Sequence, residues 1–365
     1  MHDASVSVRT PHGAGTEGLA GTDGLAFQTL KRVDTDQAAS QSSANPSAVK
    51  DVLWGKNQQA FTPSAPPPTD EEIQALHDFI VESEKLLIVT GAGVSTESGI
   101  PDYRSPTGAY STGFKPMTHQ EFVRSAASRQ RYWARSYFGW RRFFGTQPNE
   151  THRALATLEE RGRVRGGMIT QNVDRLHHAC GSSPLELHGT THHVVCMNCQ
   201  DLTDRQMFQE KLAATNPQWI DSIEAAERGE DVLAGTPGLQ RPDGDVEIGE
   251  EFLRKGLFKV PVCENCGADT LKPDVVFFGD NVPKWRVDCA MGMVQDSDAM
   301  LVVGSSLMVL SAYRLARAAA DASTPIAILN VGPTRADDLA TLRVGARSGE
   351  VLPRLLNCGS LTIPT

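Results

Sequence analysis

Four cysteines stand in two pairs, Cys196-Met197-Asn198-Cys199 and Cys263-Glu264-Asn265-Cys266. Four thiolates in two such knuckles suit a tetrahedral structural zinc ion, with no ligand position left open for chemistry. A redox CxxC usually stands alone at a helix start, so the pairing favours metal over disulfide exchange. Just before the first knuckle, Leu187-His188-Gly189-Thr190 supplies an imidazole. Its pKa near neutrality would let it take a proton from a sugar hydroxyl. A lone histidine is more often a satisfied structural residue, but this one falls at the edge of an insertion, where a cleft is expected. Gln171-Asn172-Val173-Asp174 adds two amides and a carboxylate. Further upstream lies Thr90-Gly91-Ala92-Gly93-Val94-Ser95-Thr96-Glu97-Ser98-Gly99-Ile100-Pro101-Asp102-Tyr103-Arg104. Gly91 and Gly93 let the backbone approach a ligand where a Cβ would collide. A helix after them would aim free N–H groups and its dipole at a pyrophosphate. Two glycines after a strand can equally be there for packing. Asp102, Tyr103 and Arg104, leaving the same turn, tip the reading toward a nucleotide site.

These residues need elements to hold them. Leu86–Val89 is an apolar run of strand length, and Gly99 with Pro101 stops the next helix after about two turns. Thr69 with Glu72 forms a capping box for a helix whose stripe is Ile73, Leu76, Phe79 and Ile80. Residues 118–145 read as helical, with an aromatic core under solvated arginines, and Asn149 opens another helix carrying Leu155 and Leu158. Strands are predicted at Met168–Thr170, Ala299–Val303 and Ile326–Leu329, each ending in small polar residues: Gln171-Asn172, Gly304-Ser305-Ser306 and Asn330-Val331-Gly332. Strands alternating with helices in this way predict an α/β fold, a doubly wound parallel sheet with ligands beyond the carboxyl ends of the strands. The cysteine module interrupts it at about 193–270, with helical pieces at Met207–Leu212 and Ile223–Arg228. The sheet domain is then 66–192 plus 271–365. Residues 1–65 have little apolar periodicity and read as a disordered extension.

The formal net charge of −9 over 365 residues argues against a nucleic-acid or acidic-membrane binder working through bulk charge, and no apolar run reaches membrane-spanning length. Seven cysteines used in this way fit a reducing compartment. Cys180, Cys289 and Cys358 read as small buried hydrophobes, and His177 and His178 as structural residues on a helix surface. Asp3, Glu17 and Asp23 spoil the acid-poor pattern of an import peptide.

The motifs GAGVSTESGIPDYRS (91–105), TQNVDRLH (170–177), LHGT (187–190), both CxxC pairs, LKPDVVFFGD (271–280), GSS (304–306) and NVG (330–332) together resemble the sirtuins, NAD-dependent protein deacylases. The likeness runs in order over nearly all of 66–365. Asp102-Tyr103-Arg104, the loop Arg241-Pro242-Asp243-Gly244-Asp245 and NVGPTRADDL (330–339) resemble class II, in particular the sirtuin-four type and its organellar relatives in plants and algae. The resemblance implies NAD, zinc on Cys196, Cys199, Cys263 and Cys266, and an acylated protein or peptide bound in extended form along Val275, Phe277 and Gly279. Gly91, Ala92, Gly93 and Ser95, with Thr96 and Gly99 in the same turn, would cradle the pyrophosphate. Gly304, Ser305, Ser306, Asn330, Val331, Gly332 and Ser348 would hold the adenosine half. Ile100, Pro101, Val173 and Asp174 would face the nicotinamide, Gln171 and Asn172 the ribose and nearby water, and Asp102, Tyr103 and Arg104 would close over the site. In the implied reaction the acyl oxygen attacks C1′ of the ribose and expels nicotinamide. His188 then takes a ribose hydroxyl proton, and the acyl group leaves on ADP-ribose.

One departure bears on the acyl group. Succinyl-removing relatives resemble one another in a Tyr-x-x-Arg pair whose Arg binds the acyl carboxylate. Here Tyr110 is followed three positions on by Gly113. Acetyl, lipoyl, biotinyl and methylglutaryl groups stay open, as do protein mono-ADP-ribosylation and a non-catalytic NAD or ADP-ribose sensor. A second departure is Ser348, where animal relatives carry Cys. The resemblance also implies a mitochondrial matrix location, with the cytoplasm as the alternative. A hydride-transferring dehydrogenase is disfavoured, because the glycine motif continues to Gly99 instead of to a glycine at 96.

Overall fold

Parallel pairing of short apolar strands builds the larger of two sheets in this computed structural model, which describes residues 61–221, 241–246, 248 and 258–361. In chain order the elements are α1 (Asp70–Glu82), β1 (Leu86–Thr90), α2 (His119–Arg124), α3 (Ala126–Phe144), α4 (Glu150–Glu160), β2 (Gly167–Thr170), α5 (Leu176–Ala179) and β3 (Leu185–Glu186). They continue as β4 (Gly189–Cys196), β5 (Leu202–Asp204), α6 (Arg205–Thr215), β6 (Leu271–Val275), α7 (Lys284–Asp296), β7 (Ala299–Val303), α8 (Leu310–Asp321), β8 (Ile326–Leu329), β9 (Leu342–Val344) and α9 (Ser348–Leu356). The predicted capping box of α1 is present, with Glu72 N–H donating to Thr69 Oγ1 at 3.2 Å and Thr69 N–H to the Glu72 carboxylate at 2.9 Å.

The six-stranded sheet runs β3-β2-β1-β7-β8-β9, every pair parallel. This is the dinucleotide-type order, whose direction reverses between β1 and β7, and the crevice outside that point is where such sheets bind ligands. Strand alternation feeds both faces. Leu86 and Ile88 join Leu301 and Val303 under α1, α4 and α9, whereas Leu87 and Val89 join Met300 and Val302 under α7 and α8. Burying both faces explains why these strands read as unbroken apolar runs.

The second sheet is antiparallel, order β5-β4-β6. It carries the four cysteines and its own core, in which Trp133, Tyr137, Phe208 and Leu212 pack with Cys196 and Cys263. The aromatic face of α3 therefore packs on the cysteine-bearing sheet. The expected helix at 223–228 and the extension at 1–60 lie outside the described residues. After Gly91 the chain makes a seven-residue 3₁₀-helix, Ala92–Ser98, stopped by Gly99 at φ 87°. Its length is as expected but its winding is tighter.

Two sequence expectations fail. His177 is no surface residue: it is 1 % exposed, its ring 4.9 Å from that of His152 and its Nε2 3.0 Å from Thr90 Oγ1. Helix α5 is a single turn beside the strand ends that turns Leu176 and His177 inward and leaves Ala179 exposed. The three remaining cysteines are not buried either; Cys289 is exposed on α7, and Cys180 and Cys358 are half-buried.

Candidate active site

The four strand-end clusters converge on one cavity of about 1200 Å³. Ala92, Gly93, Ser95, Thr96, Ile100, Asp102, Tyr103, Arg104, Gln171, Asn172, Val173, Asp174, His188, Gly304, Ser305, Ser306, Asn330, Val331, Gly332 and Ser348 all line it. Gly91, Gly99 and Pro101 do not, and act from behind the wall. At the β1/β7 switch point Gly91 N–H donates to the Val303 carbonyl and Gly93 N–H to that of Gly304, at 3.2 and 2.8 Å. A Cβ on Gly93 would stand 2.7 Å from the Gly304 oxygen. These N–H groups are thus spent between loops, and Val94 N–H donates to Gly91. The glycines serve by letting two turns close on each other, not by presenting these particular donors.

Polar side chains beneath form a single chain. Asn172 Nδ2 donates to Ser95 Oγ at 3.1 Å, and Ser95 donates to Asp174 at 2.7 Å. The other Asp174 oxygen accepts from Leu176 N–H. Burial raises the Asp174 carboxyl above the usual carboxylate range, against the pull of those two hydrogen bonds. Gln171 Nε2 donates to Ser305 Oγ at 2.8 Å and so ties β2 to β7. Arg343, on β9, braces the last loop by donating to the Asn330 and Gly332 carbonyls.

His188 is half-buried at the junction of the two sheets. Its Nδ1 lies 3.1 Å from the Gln171 carbonyl and its Nε2 2.8 Å from Ser311 Oγ. A carbonyl can only accept, so Nδ1 holds the proton of the neutral ring and the Nε2 lone pair is the basic one. Burial lowers the pKa to about 4, with the Gln171 hydrogen bond opposing and Arg286 adding to the fall. Burial likewise holds His177 at about 4. Unfolded, both rings take protons from about pH 6.5; folded, they resist until about pH 4. The unfolded chain therefore binds more protons in that window, and the stability contributed above pH 6.5 is lost as pH falls through it. The urea midpoint should drop between pH 7.5 and pH 5; a midpoint unchanged or higher at pH 5 would refute this.

Ser311 and Arg135 had no motif to reveal them. Ser311 lies on α8, and Arg135 pairs with Asp245 at 2.9 Å in the cavity wall, 110 residues apart in sequence. Burial pushes the Asp245 carboxyl up to about 7, Arg135 opposing. Asp243, Tyr103 and Tyr110 stand near, with the Arg104 guanidinium 5.3 Å above the Tyr110 ring. Beyond β6, Val276 N–H donates to the His188 carbonyl and Phe278 bridges to Thr118.

The cysteine cluster is complete. All four sulfurs lie within 4.8 Å of one another, with Cys196 to Cys266 and Cys199 to Cys263 both at 3.6 Å. Ligands about 2.3 Å from a tetrahedral zinc are about 3.8 Å apart, so this donor set fits the ion.

Comparison with known proteins places this geometry. The Sir2 family profile matches residues 91–311. The NAD-dependent protein deacylase SRT2 of Arabidopsis thaliana is 56% identical over 305 residues, 83% of this chain and 81% of that protein. The human NAD-dependent protein lipoamidase sirtuin-4, mitochondrial, is 48% identical over 301 residues, covering 82% and 90%. Among solved structures, a Sir2–p53 peptide–NAD⁺ complex superposes with a TM-score of 0.57 at 27% identity, covering 80% of this chain and 99% of that one. No helix among the described residues is long and apolar enough to cross a membrane.

Proposed function

The chain belongs to the Sir2 family, and on that premise we propose that it removes acyl groups from protein lysines in a reaction that consumes NAD. The observation that carries this reading is His188, with Nδ1 anchored and its basic Nε2 turned into the cavity where the four strand-end clusters meet. NAD supplies an activated glycosidic bond between ribose and nicotinamide. The turns at Ala92, Gly93, Gly304 and Ser305 would hold its phosphates and adenosine half, with Asn330, Gly332 and Ser348 also taking the adenosine. Asp174 and Ile100 lie where the nicotinamide amide would be gripped, and Asn172 holds the network that fixes Asp174. Tyr103 and Arg104 close the cavity and exclude water. His188 Nε2 takes the ribose hydroxyl proton in the acyl-transfer step. The cysteines hold zinc for structure, since four thiolates leave no open coordination position. We assign the zinc module to 193–270 and the NAD-binding domain to 66–192 plus 271–365, with β6 pairing across to β4 of the cysteine-bearing sheet. The peptide lies extended along the segment after β6, by strand addition, which reads little side-chain sequence. We place the protein in mitochondria by analogy with the human relative, which is named as mitochondrial.

The test is nicotinamide release from NAD by purified protein across acetyl-, lipoyl-, methylglutaryl- and succinyl-lysine peptides. Release that depends on the acyl peptide supports the deacylase. NAD binding with no release on any peptide would overturn it, in favour of a sensor or an ADP-ribosyltransferase. Succinyl-lysine should be a poorer substrate than acetyl-lysine. Gly113, at φ +80°, has no side chain to pair with an acyl carboxylate. Lacking a charge-assisted bond, kcat/KM for succinyl should trail acetyl roughly ten- to a hundredfold. Equal efficiencies would contradict this.

A further inference from the structure

Resting on the reading of His188 as the base, we propose that Ser311 is a positioning residue for its proton transfer. The imidazole is held at both ends, by the Gln171 carbonyl at Nδ1 and by Ser311 Oγ at Nε2, 2.8 Å away. Because Nδ1 carries the hydrogen, Ser311 donates its own to the Nε2 lone pair. That hydroxyl is not needed by its own helix. Ser311 is the second residue of α8, whose N-cap, Val309, makes no side-chain cap, and it lines the cavity.

A hydroxyl can reverse its role, donating to a neutral imidazole and accepting from an imidazolium. In the transfer step the substrate O–H bond breaks, its electron pair stays on the substrate oxygen, and an Nε2–H bond forms. The displaced Ser311 hydroxyl turns its lone pair toward the ring and steadies the cation. Among the described residues no carboxylate touches either ring nitrogen, and Arg286 nearby opposes the positive charge. Ser311 is the neutral side-chain acceptor at hand. A neighbouring hydroxyl also keeps the ring aimed before the substrate arrives, which fixes the direction in which the lone pair points.

The experiment uses the full chain with Ser311→Ala, Ser311→Thr and His188→Ala, NAD and an acyl peptide that the enzyme turns over. Two rates are read: exchange of labelled nicotinamide into NAD, which precedes the base step, and acyl transfer to ADP-ribose. Ser311→Ala should slow transfer about tenfold or more, the size of losing one hydrogen bond to a charged partner, while exchange falls no more than about twofold. Ser311→Thr, which keeps the hydroxyl, should recover most of the transfer rate. Equal losses of both rates, or an unchanged transfer rate in Ser311→Ala while His188→Ala is inactive in transfer, would overturn the proposal. If His188→Ala still transfers acyl groups, the base assignment itself falls, and that result is distinct from the other two.

Discussion

Alanine at position 188 should lower acyl transfer about a thousandfold, within the usual worth of general-base catalysis, while nicotinamide exchange into NAD continues. The split follows from where the imidazole acts. Expelling nicotinamide needs a carbonyl oxygen near C1′ but no proton acceptor; passing the acyl group to ribose needs the hydroxyl proton removed. The structure adds a pH signature. Burial holds the His188 pKa at about 4, so the lone pair is available throughout the neutral range. The acid limb of the transfer rate should therefore fall only as pH approaches 4, well below the ordinary histidine value near 6.5. Burial thus trades basicity for availability. Stopped-flow or quench measurement of acyl transfer against pH, beside an exchange assay, would check both claims. A variant losing exchange and transfer together would show that His188 mainly holds the cavity in shape.

The second large effect belongs to the metal. Cys263 is 3 % exposed and sits in the same core as Trp133 and Phe208. Replacing it with serine, or stripping the ion with a strong chelator, should unfold the cysteine-bearing sheet. Structural zinc contributes on the order of 10 kcal/mol to small metal-dependent modules, comparable with the whole stability of a domain. The expected result is one zinc per wild-type chain by elemental analysis, less than one in Cys263→Ser, and loss of near-ultraviolet circular dichroism from the aromatic core. Retained stability and activity in a zinc-free sample would refute the structural assignment.

Where the sequence was legible, the cause was local. The box at Thr69 and Glu72, the Asn149 cap and the apolar runs of β1, β7 and β8 are each settled by neighbours within a few residues, and they came out as read. Most of the cavity lining was legible because those residues stand together on short turns. What escaped depends on pairing across the chain. Nothing near Ser311 in sequence points to His188, from which it is separated by 123 positions. A one-turn helix gives no stripe from which to tell that His177 lies inside. Helix α3 shows an aromatic face, but the face alone does not say which of two sheets it covers; Trp133 Nε1 donating to the Leu271 carbonyl decides that.

Strand β4 has a mechanical consequence. It leaves His188 at Gly189 and ends at the metal-binding Cys196, spanning about 23 Å at the usual rise of a strand. Its pairing with β6 shifts between Gly189 and Val194, a break of the kind that lets a strand bend. The strand thus joins a thiolate-clamped end to the end beside the imidazole, with one break in its pairing between them. That second end also holds Val276 through the His188 carbonyl. Slack at the clamp should reach the base and the peptide groove together, so losing the metal should cost activity along with the cysteine-bearing sheet.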